Sequence, residues 1–364
     1  MCMFPIMPAQ SQNLLITSDS DCMLMIDGEK KADLISKQPL KIPVSSGDHI
    51  LLAITSDKKY HFRNQVKTKE EEDYPIEISF VQKIKHQEDI QNKQEKRKNQ
   101  IETYRNLRQE IIREIADNMV LIGENSFEIG DSDGESDEKP VKKVTVNDFY
   151  ISKYEVTQKQ WIAIMESNPG NFFECEKCAV ERVNWYDAIL FCNTLSKLSG
   201  YTPFYKVDKT PDESNHNFYD HMKWTVTIQE NANGYRLPTE AEWELAAANQ
   251  SDYQYAGSDD ASEVAWTLSN SDGSPHPVGQ KMPNKYGLYD MSGNVWEWCY
   301  DWYSPDYYAT DENSNPKGPE EGQLRVIRGG GWMSHAIHAR TRNRDRDGAD
   351  NKNNFTGFRI VRNQ

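Results

Sequence analysis

The stretch Asn284-Lys285-Tyr286-Gly287-Leu288-Tyr289-Asp290-Met291-Ser292-Gly293-Asn294-Val295-Trp296-Glu297-Trp298 decides how the chain is read. Tryptophan, glycine and asparagine dominate here and on to the end, which reads as an irregular, loop-rich structure rather than as helices. Asp290 and Glu297 bracket Gly293, Asn294 and Val295. Carboxylates and exposed carbonyls in a glycine-containing loop suit a hard cation such as Ca²⁺. Glycine at 293 would let the carbonyls turn inward. The competing reading is that Glu297 caps, or pairs with Arg236 or Arg359.

Upstream lies Tyr235-Arg236-Leu237-Pro238-Thr239-Glu240-Ala241-Glu242-Trp243-Glu244, in which Thr239 and Glu242 form a capping box that opens a helix over 240–248. Thr157 with Gln160 opens another, through Trp161 and Met165, and Asn184 caps a third with Trp185, Ala188, Ile189 and Phe191 on its apolar side. Short strands are expected at 119–123, 127–130 and 149–151. Asp131–Glu138 reads as a solvated acidic turn, since it lacks the ligand order of an EF-hand. Downstream come Arg325-Val326-Ile327-Arg328-Gly329-Gly330-Gly331-Trp332 and Gly357-Phe358-Arg359.

Together these motifs, with Tyr154-Glu155-Val156-Thr157 and Val183-Asn184-Trp185-Tyr186-Asp187-Ala188 as lesser echoes, resemble the sulfatase-modifying-factor family of formylglycine-generating-enzyme-like domains. The resemblance spans about 118–362 in the family's order. It implies an α+β fold of the variant C-type-lectin kind, with long loops and a buried Trp framework. It also implies a structural calcium held by the side chains of Asp290 and Glu297 and the backbone oxygens of Gly293 and Val295. A second family calcium site falls in a segment that is short here, Trp266–Pro283, and is not carried over.

Family members that make formylglycine carry two redox-active cysteines five apart, just after Gly-Gly-Ser-aromatic. Aligned on Gly329-Gly330-Gly331-Trp332-Met333, this chain has Ser334 and Ala339 there. Neither can act as the thiolate that the chemistry and copper ligation require, so no copper is expected. A sulfoxide-forming branch needs three histidines on iron and an extra helical domain; the N-terminal region offers only His49 and His61. H-E-x-x-H, G-x-S-x-G and phosphate-loop motifs are absent.

What fills the segment instead is a projecting set, Met333, Ser334, His335, Ile337, His338, Thr341, Arg342, Asp345, Arg346 and Asp347, alternating with Ala336, Ala339, Arg340 and Arg344. This resembles the ligand-binding face of lectin-fold proteins, including those varied by diversity-generating retroelements. Trp185, Trp243, Trp266, Trp296 and Trp298 read as framework; Trp332, at the head of the segment, is expected to be partly framework and partly a contributor to the face. His335 and His338 with Asp345 and Asp347 could hold a transition metal, but histidines three apart on irregular backbone seldom do.

The rest of the chain sets the context. Its 364 residues suit two or three domains. Lys+Arg 42 against Asp+Glu 57 gives −15, which excludes general nucleic-acid or anionic-membrane binding. No stretch approaches the ~20 apolar residues of a membrane span. Residues 1–11, apolar and then small and polar but without a basic n-region, read as the remnant of a secretory signal with a cleavage zone near Ala9–Ser11, the alternative being a mere apolar tail. Residues 12–81 read as a small all-β domain, with strands around 14–16, 22–26, 40–44, 49–54 and 76–80. The order of its turns resembles PEGA-type β modules. Residues 82–117 read as a helical linker, where Ile101, Tyr104, Leu107, Ile111 and Ile115 form one stripe that packs on a neighbour or on a partner helix. Residues 118–364 are the large domain. Cys175 and Cys178 form a local disulfide or remain two thiols; half a zinc site does not make a whole one.

The sequence thus predicts an exported, non-catalytic binding protein of the periplasm or cell surface, whose ligand is a protein or glycan contacting the segment from Trp332 onward. The alternatives are an enzyme with other chemistry around His335, His338 and Asp347, or a structural part of an envelope assembly held by the 101–115 stripe.

Overall fold

The computed structural model describes residues 12–69, 73–248 and 252–364; the expected signal remnant at 1–11 lies outside them. The chain forms two compact units, one up to Lys96 and one from Arg97 onward.

The first unit stacks two small sheets. Strands β1 (Gln12–Ser18), β4 (Leu40–Val44) and β7 (Asp73–Ile78) form one, in the order β4-β1-β7. Strands β2 (Cys22–Ile26), β3 (Glu29–Leu34), β5 (Gly47–Thr55) and β6 (His61–Thr68) form the other, in the order β3-β2-β5-β6. Alternate residues point inward, so Leu14, Ile16, Leu24, Ile26, Leu51 and Ala53 build the core. The β2–β3 turn places Asp27 and Gly28 both at positive φ (52° and 84°), as a tight two-residue hairpin requires. Strands β3 and β6 were not expected. Both lie at sheet edges and expose most of their side chains, so they lack an apolar alternation to read.

Helix α1 (Val81–Asn106) ends at a break around Leu107, and α2 (Arg108–Asp117) follows. Tyr104, Ile111, Ile112 and Ile115 are buried in the second unit's own core, beside Trp161, Ile162 and Phe191. This corrects the suggestion of a partner through Ile101–Ile115: the stripe is already covered, and Leu107, at the break, is turned out. The two compact units accordingly part at 96/97, inside the helix.

In the second unit β8 (Met119–Ile122), β11 (Phe149–Ser152), β14 (Tyr235–Arg236) and β19 (Val361–Asn363) form a sheet in the order β14-β19-β11-β8; β9 (Asn125–Ile129) pairs β10 (Lys142–Val146). Helices α3 (Gln158–Met165) and α4 (Trp185–Leu198) each carry a full capping box, from Thr157/Gln160 and Asn184/Asp187. Strands β12 (Tyr205–Asp208) and β13 (Thr225–Ile228) make a hairpin before α5 (Glu240–Ala248) and the short α6 (Ala261–Val264). The last third, expected to be irregular throughout, contains a second four-stranded sheet. Its order is β17-β16-β15-β18, from β15 (Trp296–Trp302), β16 (Arg325–Arg328), β17 (Arg344–Asp347) and β18 (Thr356–Gly357). Trp185, Trp243 and Trp298 are fully buried, each with its indole N–H bonded, so these rings are framework.

Candidate ligand-binding face

Between β16 and β17 the chain loops out through Gly329, Gly330 and Gly331. A Cβ on Gly330 would sit 3.0 Å from the backbone of Ala339, so glycine there lets the loop close on itself. What holds the returning half is a ladder of arginines. Arg340 makes a two-point contact with the buried Glu138 (2.9 and 2.6 Å). Arg342 Nη1 donates to Glu244 Oε1 at 2.9 Å. Arg344 grips both oxygens of Glu240 (2.7 and 2.8 Å). Arg328, fully buried, bridges the two α5 carboxylates, reaching Glu240 at 2.8 Å and Glu244 at 2.7 Å. Glu240 and Glu244 are one helical turn apart and face this ladder, while Glu242 between them pairs with Arg236 on the other side. Burial raises the Glu240 carboxyl, but Arg344 and Arg328 outweigh that and hold it below its ordinary value. The acidic turn at 131–138, expected to be solvated, instead supplies an anchor through Glu138.

The anchors sort the expected face into two groups. Met333, His335, Ile337 and Arg346 are exposed; Ser334, His338, Asp345 and Asp347 are half-buried. Three expectations need correction. Thr341 is buried, with 1% of its surface exposed. Arg342 is committed to Glu244 and to the carbonyl of Glu128. Trp332 is framework: it is buried, its indole N–H donates to Asn354 O at 3.0 Å, and its ring meets Phe172 edge-on. In each case the side chain turns toward buried polar or aromatic partners, which spacing alone does not show. Asp347 also has a local role, accepting from the Gly348 N–H and from the amides of Asn351 and Asn353. Arg346 lies 4.7 Å over the Tyr303 ring.

Two neighbours of the face were missed. Leu268, 51% exposed, donates its N–H to Ser334 O. At the far end the carbonyl of Tyr219 packs against Gly348, and Phe218 and Tyr219 are exposed by 87% and 57%. The available signal was a large apolar residue isolated in a polar loop, as in Thr267-Leu268-Ser269 and Asn217-Phe218-Tyr219-Asp220.

The positions of the two family cysteines are occupied otherwise. Ser334 Oγ accepts a hydrogen bond from Trp296 Nε1 at 3.0 Å, and Ala339 is fully buried against Tyr255 and Val264. Among the described residues the free thiols are Cys22, Cys192 and Cys299, all buried, and burial pushes each thiol up. Cys175 and Cys178 form a disulfide.

Asp290, Gly293, Val295 and Glu297 lie in a buried, carboxylate-rich region beneath the face. Glu297 takes a two-point contact from Arg359 (2.6 and 2.7 Å) and the indole N–H of Trp243 (2.7 Å), so the pairing with Arg359 weighed above is realised. Asp290 accepts from the Gly279 N–H through Oδ2, and its buried Oδ1 has no hydrogen-bond partner. Glu155 receives the amides of Asn294 and Val295. Burial, with Asp290 and Glu297 nearby, raises its carboxyl well above the ordinary value. Three carboxylates thus share one guanidinium. Gly293 is required by crowding, because a Cβ there would lie 2.4 Å from Trp266 O. Among the described residues no three His, Cys, Asp or Glu side chains gather as a metal set by themselves, so a cation here would draw on backbone oxygens.

Comparison with known proteins agrees with this architecture. The sequence profile described as "Sulfatase-modifying factor enzyme 1-like domain" matches residues 105–364. A chaperone protein LppX from Paenibacillus barcinonensis is 42% identical over 68% of this chain and 90% of its own length. A formylglycine-generating enzyme from Thermomonospora curvata is 30% identical over 68% of this chain and 94% of its own. A serine/threonine-protein kinase pkn1 from Chlamydia pneumoniae is 32% identical over 67% of this chain, but the match spans only 38% of that protein. Among solved structures, Treponema denticola variable protein 1 aligns with TM-score 0.60 and 33% identity over 68% of this chain and 95% of its own. PvdO from Pseudomonas aeruginosa aligns with TM-score 0.54 and 25% identity over 68% and 94%. No helix among the described residues is long and apolar enough to cross a membrane. The motifs, the paired sheets with their buried Trp framework and these matches together place the chain in the formylglycine-generating-enzyme-like, sulfatase-modifying-factor family.

Proposed function

We propose that this protein is a non-catalytic binding member of its family and that it captures a protein or glycan ligand on the outward side of Met333–Asp347. The observation that carries this reading is the replacement of both redox cysteines: Ser334 is bonded to an indole and Ala339 is sealed in the core. No exposed thiol stands near the face among the described residues. The outward residues Met333, His335 and Ile337 are free of framework duties, while their arginine neighbours anchor the loop. Asp347, the carboxylate an alternative enzyme would use beside His335 and His338, is occupied by its own loop. Relatives named as a chaperone and as protein kinases share the domain with those named formylglycine-generating enzymes, so the domain occurs in proteins not named for that oxidation.

Calcium at Asp290 belongs to the same proposal. The Oδ1 atom lacks a donor amid more carboxylate than cation. Asp290, with the backbone oxygens of Gly293 and Val295, would hold the ion, which would serve to neutralise the buried charge, whereas both oxygens of the expected ligand Glu297 are already taken by Arg359 and Trp243. Export is supported by the Cys175–Cys178 disulfide, a bond that persists in oxidising compartments. The test of the non-catalytic reading is incubation with a sulfatase-type Cys-x-Pro-x-Arg peptide and copper, followed by mass spectrometry. We expect an unmodified cysteine; conversion to the aldehyde overturns the reading.

A further inference from the structure

The turn Asn168–Phe173 reaches Trp332, at the head of the loop that carries the proposed face, and is held by side chains from inside. Glu181 Oε1 accepts the Phe172 N–H at 2.9 Å, and Gln158 Nε2 donates to Phe172 O at 3.1 Å. From α1, Arg97 reaches Gly170 O at 3.2 Å and Gln100 reaches Phe173 O at 3.0 Å. Phe173 lies under the Arg97 guanidinium. Phe172 turns the other way and meets Trp332 edge-on, ring centres 5.7 Å apart. The turn therefore joins α1 to the ring on which the ligand loop is founded.

These holding groups converge on one small polar space. A Cβ on Gly170 would lie 2.8 Å from Glu181 Oε1 and 3.3 Å from both Asn168 Oδ1 and the Gln158 amide carbon. Glu181 is fully buried, and its Oε2 has no hydrogen-bond partner; the same holds for Gln158 Oε1 and Arg97 Nε. Two buried acceptors without a donor are costly, and a proton on the acid converts one of them into a donor. The charged groups facing Glu181 are Arg182 on its own segment and Arg97 from α1. Other charges on the surrounding elements are engaged elsewhere: Lys159 with Glu114, Glu176 with the Tyr104 hydroxyl, and Lys352 with Asp187. Burial pushes the Glu181 carboxyl up to about 7, against the pull of the Phe172 and Asn171 amides and the two arginines.

We propose that Asn168–Phe173 is a proton-held strap: closed, it buries Glu181, which is then favoured neutral, and ionisation of Glu181 favours an opened strap in which the carboxylate meets water, despite the stronger bond it would accept from the Phe172 N–H, and with it a loosened ligand face. Its bearing on ligand capture rests on the reading of that face given above, but the strap itself is measured without any ligand, so the two stand or fall separately. The sign follows from the raised folded value. The closed strap is most favoured below the ordinary glutamate range, loses ground as pH rises through neutrality, and levels off above it.

The experiment is hydrogen–deuterium exchange of the full chain from pH 5 to 8.5, corrected for the intrinsic pH dependence of exchange. In the wild type, opening of 168–173 should rise about tenfold or more across the series. In Glu181→Gln, which is always neutral, it should stay flat. In Arg97→Gln, which removes a cation favouring the carboxylate, the midpoint should move to higher pH. A wild-type strap with constant opening across the series overturns the proposal, as does a Glu181→Gln strap that follows the wild type. If Glu181→Gln does not fold, the wild-type series and the Arg97→Gln midpoint decide, and an unmoved midpoint overturns it.

Discussion

Arg342 Nη1 lies 2.9 Å from Glu244 Oε1, and this contact ties the loop that carries the proposed ligand face to α5. Glu244 is fully buried, and its carboxylate is also bound by Arg328 and by the Gly130 N–H. Removing Arg342 therefore leaves a buried carboxylate weakened but not stranded. Arg342→Ala should cost about 1–3 kcal/mol, since a charge loses one of several partners. Met333→Ala, on the same loop but outward, should stay within about ±0.5 kcal/mol. Paired denaturant melts check both; equal losses would mean that the loop is not divided into anchors and outward residues.

Asp290→Asn probes the proposed cation site. It keeps the shape and the acceptor for Gly279 while removing the charge. Glu297 is unsuited to this purpose, because its loss would also strand Arg359. A chelator should lower the melting temperature of the wild-type second unit and leave the Asp290→Asn protein unmoved. A wild type indifferent to chelator and to added calcium removes the ion from the account.

In the first unit, His49 is nearly buried, with Nδ1 2.7 Å from Asp27 and Nε2 2.8 Å from Ser45 O. The hydrogen bond to Asp27 raises the imidazole above its ordinary value, against the opposing effect of burial. A histidine raised on folding stabilises at low pH, and that contribution is lost as pH rises through the folded value. Protection of the β2–β5 amides in the full chain should therefore fall between about pH 6 and 8.5, after intrinsic correction. The fall should vanish in His49→Gln. The Asp27 side chain is half exposed to solvent, so the effect should be modest and should shrink in high salt.

What could be read from the sequence was local. Thr157/Gln160 and Thr239/Glu242 begin helices because each box closes within one turn, and both bonds of each are formed; Asn184 caps a third helix, where Asp187 completes the box. The buried Trp framework followed from family motifs in their order. Polar edge strands such as β3 and β6 left no apolar period to detect. The direction of the arginines was equally hidden: Arg340, Arg342 and Arg344 bond to residues about 100 to 200 positions away, and only folding brings Glu138, Glu244 and Glu240 to them. For the same reason Thr341 was assigned to the face and Trp332 was expected to be only partly framework, while Leu268, whose neighbour Ser334 is remote in sequence, was not assigned there.

The central claim, that the outward residues of the loop bind the ligand, is tested most directly by one comparison. Wild-type protein and a combined Met333→Ser, His335→Ala, Ile337→Ser variant are each used to capture partners from envelope extract, quantified by mass spectrometry, with a thermal melt of both. The three side chains are exposed and outside the anchoring network, so the melts should agree to within about 1 kcal/mol in stability. Specific partners should fall at least tenfold in the variant, as expected when interface anchors are truncated. Equal capture by two equally stable proteins would contradict the claim.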